Sequence, residues 1–373
     1  MNTFTRAALS TRRGKRQVPS SNDLIDSGAV LDPVFRSATL PCRIYEVLLE
    51  THDPPRLTAA KRLYYAARPC LPLWLRWVLQ RQAVPRRLAA DWYITTRLLS
   101  AYAAAGVALE ESVLSTLWPP GHRTALVLTH DVETAKGQAH VRTVADMEEA
   151  LGFRSSWNFV PYLYNVGRAL LRELDDRGFE IGIHGYNHDG LLYSSRREFD
   201  RRATAINRTA TEWKATGFRS PQVHRNLAWL QTLQIGYDAS CFDVDPFQPM
   251  PGGCGSLWPF EVGRFVEIPY TLPQDHTLFV VLRAGDNSIW KRKTEWLARH
   301  HGMACLITHP DYLLLPATMA HYRDYLEYMQ NRSGVWRVLP RDLAAYWRGR
   351  NRAAERPSKP HEHDPRRPPS ARA

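Results

Sequence analysis

From residue 124 onward the chain alternates short apolar runs with longer segments of helical period. Ala125-Leu126-Val127-Leu128 is the first run. Others lie at 156–160, 180–183, 265–268, 278–282 and 304–307. Runs that are apolar on both faces suit strands covered on both sides of a sheet. The segments 137–151, 163–177, 195–214, 287–300 and 317–331 carry helical spacing between them. Strands alternating with helices predict a parallel sheet, either doubly wound or closed into a barrel. In a barrel, chemistry gathers at the C-terminal ends of the strands.

The first third of the chain reads differently. Residues 1–55 form an N-terminal arm, its first part rich in Ser, Thr and Arg and expected to be flexible. Residues 56–118 form a basic helical segment. Around Pro72, the residues Leu71, Trp74, Leu75, Val78 and Leu79 recur at steps of three and four, with Arg76 and Arg81 off the stripe. Such a stripe can lie on a membrane surface or pack on the main domain, and packing is the commoner use. The end, residues 346–373, is rich in Pro and Arg and is expected to be disordered.

Charge refines this division. The chain has 49 Lys and Arg against 37 Asp and Glu, a net of +12 over 373 residues. The excess sits at both ends and in residues 56–97, where nine basic residues face Asp91 alone. Residues 98–340 are close to neutral, which speaks against a nucleic-acid surface on the main domain. The segment 56–97 leaves room for weak contact with an anionic membrane face. The five cysteines, Cys42, Cys70, Cys241, Cys254 and Cys305, are scattered without a C-x-x-C pair. Neither a disulfide framework nor a structural zinc site is expected. With no secretory signal and no apolar stretch of spanning length, the expectation is a cytoplasmic protein, peripheral at the inner membrane face at most.

Chemistry-bearing residues collect where three of the runs end. The first closes with Thr129-His130-Asp131-Val132-Glu133, the third with His184-Gly185-Tyr186-Asn187-His188-Asp189, and the last with Thr308-His309-Pro310-Asp311. On one helical turn, His184 and His188 would point the same way and could share a metal. Two imidazoles and a carboxylate make the open three-ligand set of hydrolytic metal sites. A second carboxylate could then take a proton from water, and His309 could protonate a leaving group.

The order T-x-D-x-[DE], H-x-x-x-H, R-x-P and a strand ending in His resembles the polysaccharide deacetylases, carbohydrate esterase family 4 with its NodB homology domain. The matching segments are Thr129–Glu133, His184–His188, Arg219-Ser220-Pro221 and Leu306–His309, within residues 119–345. The resemblance implies a distorted (β/α)7 barrel with an N-terminal helical extension. It implies one divalent metal ion, often zinc, and removal of N- or O-acetyl groups from a saccharide or glycan precursor. By position it makes Asp131 the general base, Glu133, His184 and His188 the metal ligands, Arg219 the residue that orients Asp131, and His309 the general acid.

The first motif departs from the common T-F-D-D-G: here it is T-H-D-V-E. The metal carboxylate would come two residues after the base, which strand alternation permits, and His130 would face the other way as a structural residue. The family's aspartate-tryptophan motif has lost its tryptophan in Phe242-Asp243-Val244-Asp245, where Asp245, or else Asp243, is the candidate for substrate contact. Gln274 and His276 are candidates for the same role on a loop at the rim. Two alternatives stay open: a hydrolase of another non-peptide C–N amide bond, and a carbohydrate-binding protein without turnover.

Overall fold

The computed structural model describes residues 58–67, 71–82, 88–104, 109–250 and 253–355. The N-terminal arm lies outside them, as does the tail beyond residue 355. Nine strands form one sheet: β1 Thr124–Val132, β2 Ser156–Phe159, β3 Glu180–His184, β4 Gly217–Arg219, β5 Tyr237–Asp238, β6 Phe260–Val262, β7 Phe265–Glu267, β8 Met303–Thr308 and β9 Val335–Arg337. Seven parallel strands run in the order β7-β5-β4-β3-β2-β1-β8. Antiparallel β6 borders β7, and β9 pairs in parallel with the start of β1.

The two ends of that path meet. Beyond β7 the chain bridges Tyr270 to Phe242 in parallel. Its next residues, Thr271 and Leu272, both donate their N–H groups to Cys305 O of β8, at 3.1 and 3.0 Å. The result is the expected distorted (β/α) barrel. Its wall is held by side chains buried on both faces of the strands: all nine residues of β1 and all six of β8 are buried.

Helices Ala135–Ala150, Arg168–Asp176, Arg196–Trp213, Ser288–Arg299 and Pro316–Gln330 answer the five helical segments. Two have serine or threonine caps. Thr134 accepts from Gly137 N, and Ser195 accepts from Glu198 N, the usual satisfaction of free amides at a helix start. One run is corrected. The residues at 278–282, expected as a strand, belong to a π-helical turn, His276–Val281, whose start is capped by Asp275. An apolar run this short has no period of its own, and the capping carboxylate decides it. β4, β5, β6 and β9 are two or three residues long, too short for a periodic signal.

In the N-terminal segment, α1 spans Ala59–Ala67 and α2 spans Leu73–Gln82. Leu71 and Leu75 of the apolar stripe are half-buried, while Val78 and Leu79 are exposed. α2 lies against the π-helical turn, where Arg81 Nε donates to Val280 O at 3.1 Å. No helix among the described residues is long and apolar enough to cross a membrane. At the other end, the expected break at residue 346 falls inside the helix Pro340–Glu355, whose Trp347 is fully buried.

Candidate active site

β1 ends at Val132, and Asp131 and Glu133 flank that residue at the rim. Arg219, the last residue of β4, is fully buried. Its Nη1 donates to Asp131 Oδ1 at 3.0 Å and to Thr129 Oγ1 at 2.8 Å, and its Nε donates to Ala239 O at 2.8 Å. Asn158 of β2 donates to the same Asp131 oxygen at 2.9 Å. Oδ1 is thus held by two donors, and Oδ2 is turned toward His184 Nε2, 3.9 Å away. Gly182 on the adjacent strand makes this possible, since a Cβ there would lie 2.0 Å from Asn158 Oδ1. Burial pushes the Asp131 carboxyl up, but Arg219, His184 and His309 outweigh it and hold the group at about 2.

His184 is the last residue of β3, and His188 follows in a loop with left-handed backbone, φ 57°. The pair does not ride on a helical turn, as the spacing alone suggested. The chain reverses at Gly185, φ 63°, where a Cβ would lie 2.3 Å from Pro221. That turn brings the two imidazole centroids to 5.1 Å. Glu133 Oε1 lies 2.9 Å from His188 Nε2 and 3.9 Å from His184 Nε2. The three residues offer ligand atoms that all lie within 4.8 Å of one another. Burial raises the Glu133 carboxyl, and His188 and His184 overcome this and bring it well below its ordinary value.

The donor set fits a divalent ion. His184 Nδ1 faces Arg219 O at 3.2 Å. A carbonyl can only accept, so Nδ1 carries the proton and Nε2 keeps its lone pair. That Nε2 is buried without a hydrogen-bond partner, an arrangement a ligating nitrogen explains. Two nitrogens and an anionic oxygen match the three-ligand sets of hydrolytic zinc sites.

His309 follows β8. Its Nδ1 is 2.6 Å from Asp275 Oδ1, and its Nε2 is 3.8 Å from Glu133 Oε1. Asp275 and Asn158 lie in segments the sequence singles out, but the sequence assigns neither a role of its own. A signal existed for each. Asn158 alternates with Trp157 on a strand, and Asp275 stands between the two residues singled out on its loop. His130 points away from the site, stacked on Trp157 and hydrogen-bonded to Glu148 at 2.7 Å and Thr308 at 2.8 Å.

Asp131, Glu133, His184, His188 and His309 share one cleft of about 430 Å³, and Gln274 and His276 line its wall. Asp245 does not line it. Its carboxylate takes Phe247 N–H, Gln248 Nε2, Tyr270 OH and Thr277 Oγ1, at 2.8–3.3 Å. Asp245 therefore braces the loop whose Pro246–Pro249 stretch forms part of the cleft, and the expected substrate contact is corrected to this support.

Among solved structures, a protein from Mycobacterium smegmatis described as a polysaccharide deacetylase superimposes with a TM-score of 0.52 at 18% identity, over 62% of this chain and 93% of that one. The fold is that of the polysaccharide deacetylases. A Puue allantoinase gives a TM-score of 0.49 at 17% identity, over 62% of this chain and 92% of that one. A Pseudomonas aeruginosa PAO1 protein, also described as a polysaccharide deacetylase, gives 0.48 at 15%, over 65% and 98%. No protein-family profile and no curated protein sequence matches the chain.

Proposed function

We propose that the protein is a metal-dependent hydrolase that removes an acetyl group from an N- or O-acetylated carbohydrate. One observation carries this reading. A carboxylate held by a buried arginine and an imidazole held by a buried carboxylate both border the Glu133–His184–His188 cluster. Fold alone would not license the step to function.

Glu133, His184 and His188 would hold the ion, most suitably zinc. Bound there, it would polarise the acyl carbonyl and lower the pKa of water at the site. Asp131 is ionised across the neutral range, and with Oδ1 fixed by Arg219 and Asn158 its Oδ2 is free to accept a proton. His309 borders the cluster with its Nε2, 3.8 Å from Glu133 Oε1. Burial lowers its pKa, but the Asp275 carboxylate beside Nδ1, with Glu133 and Asp131 adding to it, raises it to about 10. It enters the reaction as imidazolium and can deliver its Nε2 proton to a departing amine or alcohol. Gln274 and His276 stand where they can contact the sugar.

The test is acetate release by the zinc-loaded protein from a panel of N- and O-acetylated saccharides. Release that disappears in His184→Ala supports the reading. Stoichiometric zinc binding with no acetate from any member sends the search to other C–N amide bonds.

A further inference from the structure

The cleft has a wall that the barrel does not supply. Lys61, Tyr64 and Tyr65 of α1 and Leu79 of α2 line it. α1 is docked there by Tyr65, which is buried and meets the His224 ring edge-on at 4.8 Å. The same tyrosine packs over Gly190, φ 80°, where a Cβ would lie 2.5 Å from the ring. Gly190 is two residues past His188, so α1 rests on the loop that carries that imidazole.

Among the described residues lining the cleft, Lys61 is the one lysine or arginine. Its ammonium donates to Pro249 O, a neutral acceptor. Among the described residues no carboxylate lies within ion-pair range of it. Some buried or half-buried cations have a carboxylate partner, as Arg219 has Asp131, Lys293 has Asp243 and Lys291 has Asp324, while Arg81 and Arg348, outside the cleft, rest on carbonyls. An ammonium has three donors, and Lys61 spends one on the carbonyl. A half-enclosed cation without a counter-charge is poorly placed for stability alone, and well placed to meet an incoming anion. The catalytic steps above have no use for it.

We propose that the acetylated saccharide bound in this cleft carries an anionic group, carboxylate or phosphate, and that Lys61 recognises it. The inference rests on the deacetylase reading and narrows its substrate class. Tyr64, on the same helix as Lys61, offers a ring beside the charge for the face of the sugar. The anion's two sources are a sugar acid and a glycosyl phosphate.

The experiment compares N-acetylglucosamine, its 1-phosphate and N-acetylglucosaminuronic acid on the full-length, zinc-loaded chain. Acetate release and calorimetric binding are measured in parallel on wild type, Lys61→Gln and Lys61→Arg. One charge-assisted hydrogen bond predicts that an anionic sugar binds and reacts about tenfold or more better than the neutral one. Lys61→Gln should erase that advantage while leaving the neutral sugar within about twofold, and Lys61→Arg should keep most of it. Whichever anionic sugar shows the effect identifies the source. Equal binding of all three sugars overturns the proposal, as does binding of none. So does a Lys61→Gln loss shared by all three, which would reduce Lys61 to a clamp on Pro249. Charge-dependent binding without acetate release keeps Lys61's role and overturns the deacetylase reading instead.

Discussion

Asp275 grips His309 twice. Oδ1 lies 2.6 Å from the imidazole Nδ1, and Oδ2 accepts the backbone N–H of the same residue at 2.7 Å. The carboxylate is fully buried and cannot swing away, so it fixes both the ring and its charge. Asp275→Asn removes the foremost of the anions, Asp275, Glu133 and Asp131, that raise His309 to about 10. If the imidazolium is the proton donor, activity falls as pH rises through that pKa. The variant's basic limb should then move to lower pH, with zinc content unchanged. A pH–rate profile checks it, and an unmoved limb assigns the donor elsewhere.

His309→Ala should retain fold and metal. It should lose far more activity on an N-acetyl sugar than on an aryl acetate. An amine must be protonated as it leaves, whereas a phenolate hardly needs it. Equal losses on both substrates would favour a positioning role.

The metal assignment is checked by content rather than by rate. Purified wild type should carry one zinc per chain, and the His184→Ala/His188→Ala double variant close to none, read by elemental analysis. A circular dichroism spectrum like that of wild type should accompany the loss, because these residues lie at the rim and the core lies below them.

Asp131→Asn should keep its zinc and lose about 10²–10⁴-fold in kcat, the usual worth of a general base. Glu133→Gln should lose zinc instead. The opposite pattern would exchange the two roles. The Arg219 and Asn158 bonds to Asp131 Oδ1 argue for Asp131 as the base and Glu133 as the ligand.

Glu180, at the far end of β3 from the site, gives a stability prediction. Burial raises its carboxyl to about 7, although Arg341 N–H donates to it. The folded state therefore holds this proton more tightly than the unfolded chain. The stabilising contribution is full below pH 4.5 and is lost as pH rises to about 7. Glu180→Gln should match wild type near pH 4.5 and be more stable by about 2–3 kcal/mol at pH 8. Urea unfolding at the two pH values measures the difference.

The strands β1, β2, β3, β7 and β8 and all five barrel helices were legible in the sequence, because strands buried on both faces are written as short runs rich in apolar residues. The rim residues were legible too, since the polar residues closing those runs must fall at strand ends. The short strands β4, β5, β6 and β9 left no pattern, and the apolar run in the turn at 276–281 reads as a strand when its cap is left out.

What the sequence could not decide depends on contacts between distant segments. The spacing of His184 and His188 is that of a helix, yet a turn at Gly185 packed on Pro221 is what joins them. Asp245 and Asp275 look alike as loop carboxylates, but one braces a loop and the other grips an imidazole. The stripe on α2 suits a packing face more than a membrane face; α2 lies against the turn at 276–281, while Val78 and Leu79 of the stripe stay exposed. Local composition sets which residues are buried and where each strand ends. The partner of a buried charge is chosen only when the barrel closes, because desolvation and ion pairing act over a few ångströms of space and not along the chain.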